Sequence, residues 1–294
     1  MQNKEVLVIG GMNVDIGGIP ENTFIANDSN PGKISVTPGG VGRNIACYLK
    51  LLGIDVSMIT AFGGDVFSNI LMNNLKSFEI DYSMAVRAEK AQSSMYIYVT
   101  DEKAEMIAAV SDMQVVEMIT PEVLRENIDR INGFDAVVID ANISDAAIDY
   151  LVENCRRPIY ADTVSTAKAA KFKNYLSKFY CVKPNLIEAS ILTGKDNAKE
   201  ALKELYKLGV KLPIVSAGKD GIYLYDGDEI INARIDVEKV VDVTGAGDAV
   251  MAAIVYGGVS GLDKKKTLNL AAKAGAMAVS AVGAVNQNIA EILK

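Results

Sequence analysis

Short apolar runs alternate with amphipathic ones along this chain. Residues 6–9, 56–60, 136–139, 158–161, 179–182 and 212–216 are brief and rich in β-branched or aromatic side chains, the pattern of strands buried on both faces. Between them the period becomes helical. Residues 44–52 place Ile45, Leu49 and Leu52 on one face and stop at Gly53, Pro121 stands where the first turn of a helix tolerates it, and residues 198–208 run to Gly209. Strand and helix in repeated alternation predict an α/β fold of three layers, αβα, with a mainly parallel central sheet between helices. Two stretches break the rhythm. Residues 16–37 are polar and turn-rich, and residues 93–110 read as a hairpin turning at Asp101, Glu102 and Lys103, so the two are expected to pair as a small separate sheet. No internal repeat, low-complexity stretch or linker divides residues 1–294, and a single domain is expected.

Composition narrows the possibilities. A chain of 294 residues, half of them hydrophobic, buries about three quarters of its unfolded surface and can build a large core. Its apolar runs are too short for the roughly 18 to 20 residues of a bilayer crossing. The beginning, "MQNKEVLVIGG", lacks the long apolar core and small-residue cleavage site of a secretory signal, and a soluble cytoplasmic protein is expected. Cys47, Cys155 and Cys181 form no C-x-x-C pair and read as small hydrophobes of a reducing compartment. The net charge of −7, with no basic cluster, opposes binding to DNA or RNA and favours a small-molecule partner.

The richest local chemistry lies at "DVTGAGDAV", residues 242–250, where a strand-like run at 237–243 meets a helical one at 248–256. Glycines there let a backbone approach an anion, and a helix amino terminus offers unpaired N–H groups and partial positive charge. Two readings stand: a phosphate cradle, or a tight strand-to-helix turn in which Asp248 assists the first turn. Asp248 favours the first. A carboxylate beside a bound phosphate repels it, unless its task is to take a proton from a nucleophile approaching that phosphate.

Other signatures are missing. Gly32-Lys33, Gly194-Lys195 and Gly218-Lys219 are followed by Ile or Asp, which excludes a P-loop. The first strand runs into "GGMNVDIGG" and not G-x-G-x-x-G. With no histidine in the chain, Ser-His-Asp and Cys-His catalysis and His-ligated metals are excluded.

The segments "PGGVGRNIACYLKLLG" (38–53) and "DVTGAGDAVMAAIV" (242–255) resemble the two signatures of the ribokinase-like (PfkB) family of sugar and nucleoside kinases. "FGGD" at 62–65, "KPNLIEA" at 183–189 and "SAGKDG" at 216–221 follow the family order, while Ser68 stands where members commonly carry Gly. Within the family, "NVDIGG", "DSNPGKISVTPGGVGRN" and "ADTVSTAKA" are most similar to its pseudouridine kinase branch.

The resemblance implies a ribokinase-like fold with a discontinuous β lid at about 16–37 and 92–112, ATP and Mg²⁺ as cofactors, K⁺ in many relatives, and a homodimer through the lid. It gives Asp248 the role of general base and Gly245, Ala246 and Gly247 that of an anion hole. Asn13 and Asp15, otherwise a polar turn, would bind ribose hydroxyls, with Gly39, Gly40 and Asn44 against the sugar and Gly42 starting the helix. Ser29, Asn30 and residues near Met95 would cover the substrate. Asp162 and Lys168 would read the uracil edge, although Lys168 reads equally as a solvated helix lysine. Asn185 and Glu188 would hold Mg²⁺ through waters, or simply cap a helix. Lys183, Ser216, Gly218 and Gly221 would contact ATP phosphates, and adenine would lie near Asn269. Asp242, Thr244 and the carbonyls near Ala281 and Gly283 mark the K⁺ position.

Overall fold

The apolar run at residues 5–9 forms a strand with two cores to fill. Val6 and Val8 enter one, Leu7 and Ile9 the other, because successive side chains of a strand leave on opposite faces. This computed structural model describes residues 4–294. Its strands in chain order are β1 (Glu5–Ile9), β2 (Asn13–Pro20), β3 (Gly32–Gly39), β4 (Asp55–Ile59), β5 (Ala61–Gly63), β6 (Val86–Ala88) and β7 (Met95–Thr100). They continue as β8 (Met106–Asp112), β9 (Ala136–Asp140), β10 (Ile159–Asp162), β11 (Cys181–Val182), β12 (Leu212–Ser216), β13 (Ile222–Tyr225) and β14 (Ile230–Ala233). The central sheet has the order β14-β13-β12-β11-β10-β9-β1-β4, parallel from β4 to β12 and antiparallel only at the β13 and β14 edge.

Helices cover both faces. They are α1 (Val41–Leu51), α2 (Val66–Ser77), α3 (Pro121–Ile131), α4 (Asp145–Asn154), α5 (Thr166–Ala169), α6 (Leu186–Thr193), α7 (Ala198–Lys207), α8 (Ala246–Val259) and α9 (Lys264–Val279). α1, α2, α8 and α9 pack on the face holding Val6 and Val8, and α3, α4, α6 and α7 on the face holding Leu7 and Ile9. The αβα architecture expected from the alternation is the one observed. Among the described residues no helix is long and apolar enough to cross a membrane.

The second sheet has the order β3-β2-β7-β8 and spans 13–39, wider than the first break in rhythm, and 95–112, displaced slightly along the chain from the second. Its hairpin turns where expected, with Asp101 Oδ1 accepting the N–H groups of Lys103 and Glu105 at 2.9 and 2.8 Å. β8 is exposed along nearly its whole length.

Several boundaries differ from expectation. The run at 237–243 is not a strand: the sheet ends at β14, and Val237, Val240 and Val243 line a cavity instead. α1 begins at Val41, not at 44, with Gly40 as its cap, so Gly42 lies inside the first turn. α8 begins at Ala246, which puts Asp248 inside its first turn. Of the run at 179–182 only Cys181–Val182 pair in the sheet.

Asp65 ties the main body to the second sheet. It caps α2 by accepting the N–H groups of Phe67 and Ser68, and its other oxygen accepts Ser93 N–H at 2.6 Å, two residues before β7. Ser68, the departure from the family's Gly, donates its hydroxyl to Asp65 O at 2.7 Å and so joins the cap. Partial burial alone would raise the Asp65 carboxyl, but the donors from Ser93, Ser68 and Phe67 hold it below its ordinary 3.8. Asp65→Ala should therefore cost about 1 to 2 kcal/mol at pH 7, the range for losing a cap. Because the folded value is depressed, this contribution is present above the ordinary value and fades as pH falls through the folded one. Urea midpoints at pH 7 and pH 3 check both parts, expected as a gap that narrows at pH 3; equal midpoints at pH 7 would contradict it.

Candidate active site

The carboxyl ends of β1, β9, β10, β11 and β12 face a cavity of about 1100 Å³, the edge at which parallel α/β sheets bind ligands. Asp162 ends β10, Lys183 follows β11 and Ser216 ends β12, and all three line the cavity. The second sheet supplies Asn13, Asp15, Tyr96 and Ser111.

On the second-sheet side, Asn13 Nδ2 donates to Asp15 Oδ1 at 2.6 Å. Burial raises the Asp15 carboxyl, with the Asn13 hydrogen bond and the Arg43 charge pulling the other way. Gly39 is required here: a Cβ on it would lie 2.1 Å from Asp15 Oδ2. It supports Asp15 from outside the cavity lining, whereas Gly40, at φ 101°, reaches the lining itself.

Asp248 lines the same cavity from the first turn of α8. Gly245 caps the helix at φ 77°, and a Cβ there would meet Ala284 O at 2.0 Å, so only glycine fits. Thr244, Gly245, Ala246, Gly247 and Asp248 all line the cavity, and first-turn N–H groups have no partner inside their helix. Of these, Ala246 N–H is partly spent on Val243 O at 3.4 Å. Asn44 Nδ2 donates to Asp248 Oδ2 at 2.7 Å. Burial pushes the Asp248 carboxyl up to about 7, Asp162 adds to the rise, the Asn44 hydrogen bond and the Lys183 charge oppose it, and Asp140 raises it further.

Lys183 Nζ lies 3.2 Å from Asp162 Oδ2, both side chains being buried. The pair is ionic by distance, yet the oxygen has no well-aligned hydrogen bond and remains an unspent buried acceptor. Burial alone would lower the Lys183 ammonium, but Asp162, Glu188 and Asp248 together raise it. Asn185 and Glu188 form the reciprocal cap of α6, at 2.9 Å in each direction, and Thr163 Oγ1 also donates to Glu188 Oε2 at 2.6 Å. Both readings of this pair survive in one geometry, since the cap itself lines the cavity. Lys168 is no solvated lysine: it is half-buried in the cavity wall, donates to Asn142 Oδ1, and is lowered by burial against the pull of Asp140.

Gly218 and Gly221 line the far end together with Ser216. The apolar wall there comes from Ile235, Val237, Val240 and the α9 residues Ala272, Ala276 and Val279. Asn269, beside which adenine is expected, is exposed and lies outside this lining. Ser29 and Asn30 also fall outside: they sit in the turn between β2 and β3, where Asn30 bonds the backbone of Ile25 and Asp28. Asp242 and Gly283 are joined to each other, Asp242 Oδ1 accepting Thr244 N–H at 2.9 Å and Oδ2 accepting Gly283 N–H at 3.0 Å. Asp242, Ala281 and Gly283 are outside the lining, whereas Thr244 is part of it.

The expected set omitted Asp140, Asn142 and Arg43, and covered Tyr96 only as a residue near Met95. Asp140 is fully buried; its Oδ2 accepts the N–H groups of Gly11 at 2.8 Å and Gly42 at 2.9 Å, and its Oδ1 that of Asn142 at 2.9 Å. A polar residue closing the buried run "AVVID" was the signal that could have found it. Tyr96 pairs with Asp15 across the β2 and β7 register and shares its cavity face.

A family model described as "pfkB family carbohydrate kinase" matches residues 3–291. The pseudouridine kinase of Escherichia coli (strain K12) is 33% identical over 291 residues, covering 95% of this chain and 92% of the relative. The guanosine-inosine kinase of Exiguobacterium acetylicum is 27% identical, covering 97% and 96%. Among solved structures, an Arabidopsis thaliana ribokinase complexed with ribose and ATP superposes with a TM-score of 0.87 at 20% identity, over 100% of this chain and 99% of that one.

The Lys183 and Asp162 pair makes a prediction of its own. Removing one partner of a buried ion pair leaves the other charge uncompensated, so Lys183→Met should destabilise the protein by about 3 to 5 kcal/mol. Adding Asp162→Asn should restore part of that loss, as denaturant titrations of the single and double variants would show. A double variant no more stable than Lys183→Met would mean that the two charges are not coupled.

Proposed function

The chain belongs to the pfkB family of carbohydrate kinases, and from that premise we propose that it phosphorylates the 5′-hydroxyl of a ribosyl nucleoside, pseudouridine, with ATP. The observation that carries the reading is Asp248: a buried carboxylate in the first turn of α8, directly after the glycine turn, lining one cavity with Asn13 and Asp15. Asp15 and Asn13 bind adjacent ribose hydroxyls, since a carboxylate accepts hydrogen bonds from hydroxyl groups and an amide can donate and accept them. Asp248 takes the 5′-hydroxyl proton as that oxygen attacks the terminal phosphate. N–H groups of Gly245 and Gly247, with Lys183 close to Gly247, offset the charge of the moving phosphoryl group. Asp162 serves Lys183 in this reading, which leaves Lys168, steadied by Asn142, to meet the base. The second sheet covers the substrate and keeps water from the phosphate.

The residues present fit Mg²⁺ carried on the nucleotide. Among the described residues no group of three His, Cys, Asp or Glu could hold a metal directly, and Asn185 and Glu188, which line the cavity, would serve as outer-sphere partners. When bound, Mg²⁺ supplies charge neutralisation at the β- and γ-oxygens. Ser216, Gly218 and Gly221 meet the phosphates, and adenine packs against the valine and α9 wall. K⁺ behind the Asp242 staple, a homodimer through the exposed second sheet and a cytoplasmic setting belong to the same proposal.

The test is turnover of pseudouridine, uridine, ribose and fructose with ATP, with pseudouridine expected to have the highest kcat/KM. Preference for a free sugar or for uridine would favour the alternatives, ribokinase, fructokinase or another nucleoside kinase of the same family, and no turnover of any of the four would favour a non-catalytic sugar- or nucleoside-binding protein. Asp248→Asn should lower kcat by about 10²- to 10⁴-fold with an unchanged fold. Because the carboxylate must be ionised to accept the proton, wild-type kcat should rise with pH through about 7. Near-full turnover by the variant would remove Asp248 from its role.

A further inference from the structure

Arg43 is buried at 5% exposure on α1, yet among the described residues it forms no salt bridge. An unpaired buried cation is costly and needs a reason. Its hydrogen-bond and ring partners are neutral, while its charge also pulls the Asp15 carboxyl down. Nε donates to Asn74 Oδ1 on α2 at 2.7 Å, Nη1 donates to Asn44 Oδ1 at 2.9 Å, and the group lies 5.7 Å from the centre of the Phe78 ring. Asn44 in turn gives its Nδ2 to Asp248 at 2.7 Å.

An amide has one accepting end and one donating end. With its oxygen claimed by a cation, Asn44 can present only N–H to Asp248; with that oxygen free, the amide can turn over and present a second acceptor to the carboxylate. We propose that Arg43, anchored by Asn74, is a positioning residue that locks the Asn44 amide in the one orientation that donates to Asp248. The cation acts from outside the cavity lining, so it stabilises the ionised base without competing with it for a bound phosphate.

The groups facing Asp248 are Asn44 on α1, with Tyr48 one turn further along, Asp140 at the end of β9, Asp162 at the end of β10, and Lys183 after β11. Asn44 is the hydrogen-bond donor among the groups that lower it, so its orientation bears directly on ionisation.

The inference rests on Asp248 acting as the base, and the experiment separates the two. The pH profile of kcat is measured at saturating substrates for wild type, Arg43→Met, Arg43→Lys and the milder Asn74→Ala, with thermal melts and the KM for ATP alongside. The acid limb should move up by about one unit in Arg43→Met, giving about tenfold lower kcat below the limb and recovery at high pH. Arg43→Lys and Asn74→Ala should shift it less in the same direction, with the KM for ATP unchanged. An unmoved limb, or a loss of kcat equal at every pH, overturns the proposal; should Arg43→Met not fold, the other two variants decide by the same criterion. Full turnover by Asp248→Asn would instead sink the base reading, whereas an inert Asp248→Asn with unmoved limbs in the Arg43 series sinks only the positioning role.

Discussion

A carboxylate kept from water at the amino end of a helix is the constraint on which the site depends. In the proposed reaction, burial alone would favour the protonated form of Asp248, which cannot accept a proton, while full compensation would make it a weaker base. The site stands between these limits because opposing groups meet there. Asn44 and Lys183 stabilise the charge, Asp162 and Asp140 disfavour it, and the balance falls near 7. Each comes from a different element of the fold, so the balance exists only when sheet, α1 and α8 are assembled together.

Asp140 shows how that assembly is held. Its carboxylate draws Gly11, which leads into β2, and Gly42, in the first turn of α1, to the end of β9. One buried side chain thereby fixes the chain that carries Asn13 and Asp15 relative to the helix that carries Asn44. The approach is so close that a Cβ on Gly10 would lie 2.5 Å from Asp140 Oδ2. Glycine at Gly10 is therefore a packing requirement beneath the site, separate from any contact with ligand.

The central strands were legible in the sequence because both of their faces are buried, which leaves an apolar run with little polar interruption. The run at 237–243 carried the same signature for another reason. Val237, Val240 and Val243 line the cavity, and composition does not distinguish a core from a cavity wall. Helix starts were missed where the cap is a glycine at positive φ, as at Gly40 and Gly245, since such caps lack the side-chain acceptor that announces a start. The glycine turn and Asp248 were legible because they are contiguous. Asp140 and Arg43 were not, because their partners are backbone groups 129 and 98 residues away and an amide on the next helix 31 residues away. Ser29 and Asn30, read as substrate contacts, lie in a turn whose polar groups satisfy one another.

The most direct test of the account is a crystal structure with pseudouridine and a non-hydrolysable ATP analogue bound together. The account predicts an Asp248 oxygen within about 3 Å of the ribose 5′-hydroxyl, that hydroxyl pointing at the terminal phosphate, and the phosphate resting on the N–H groups that open α8. A ternary complex in which Asp248 stays turned toward Asn44 and Lys183, out of hydrogen-bond reach of the nucleoside, would contradict it.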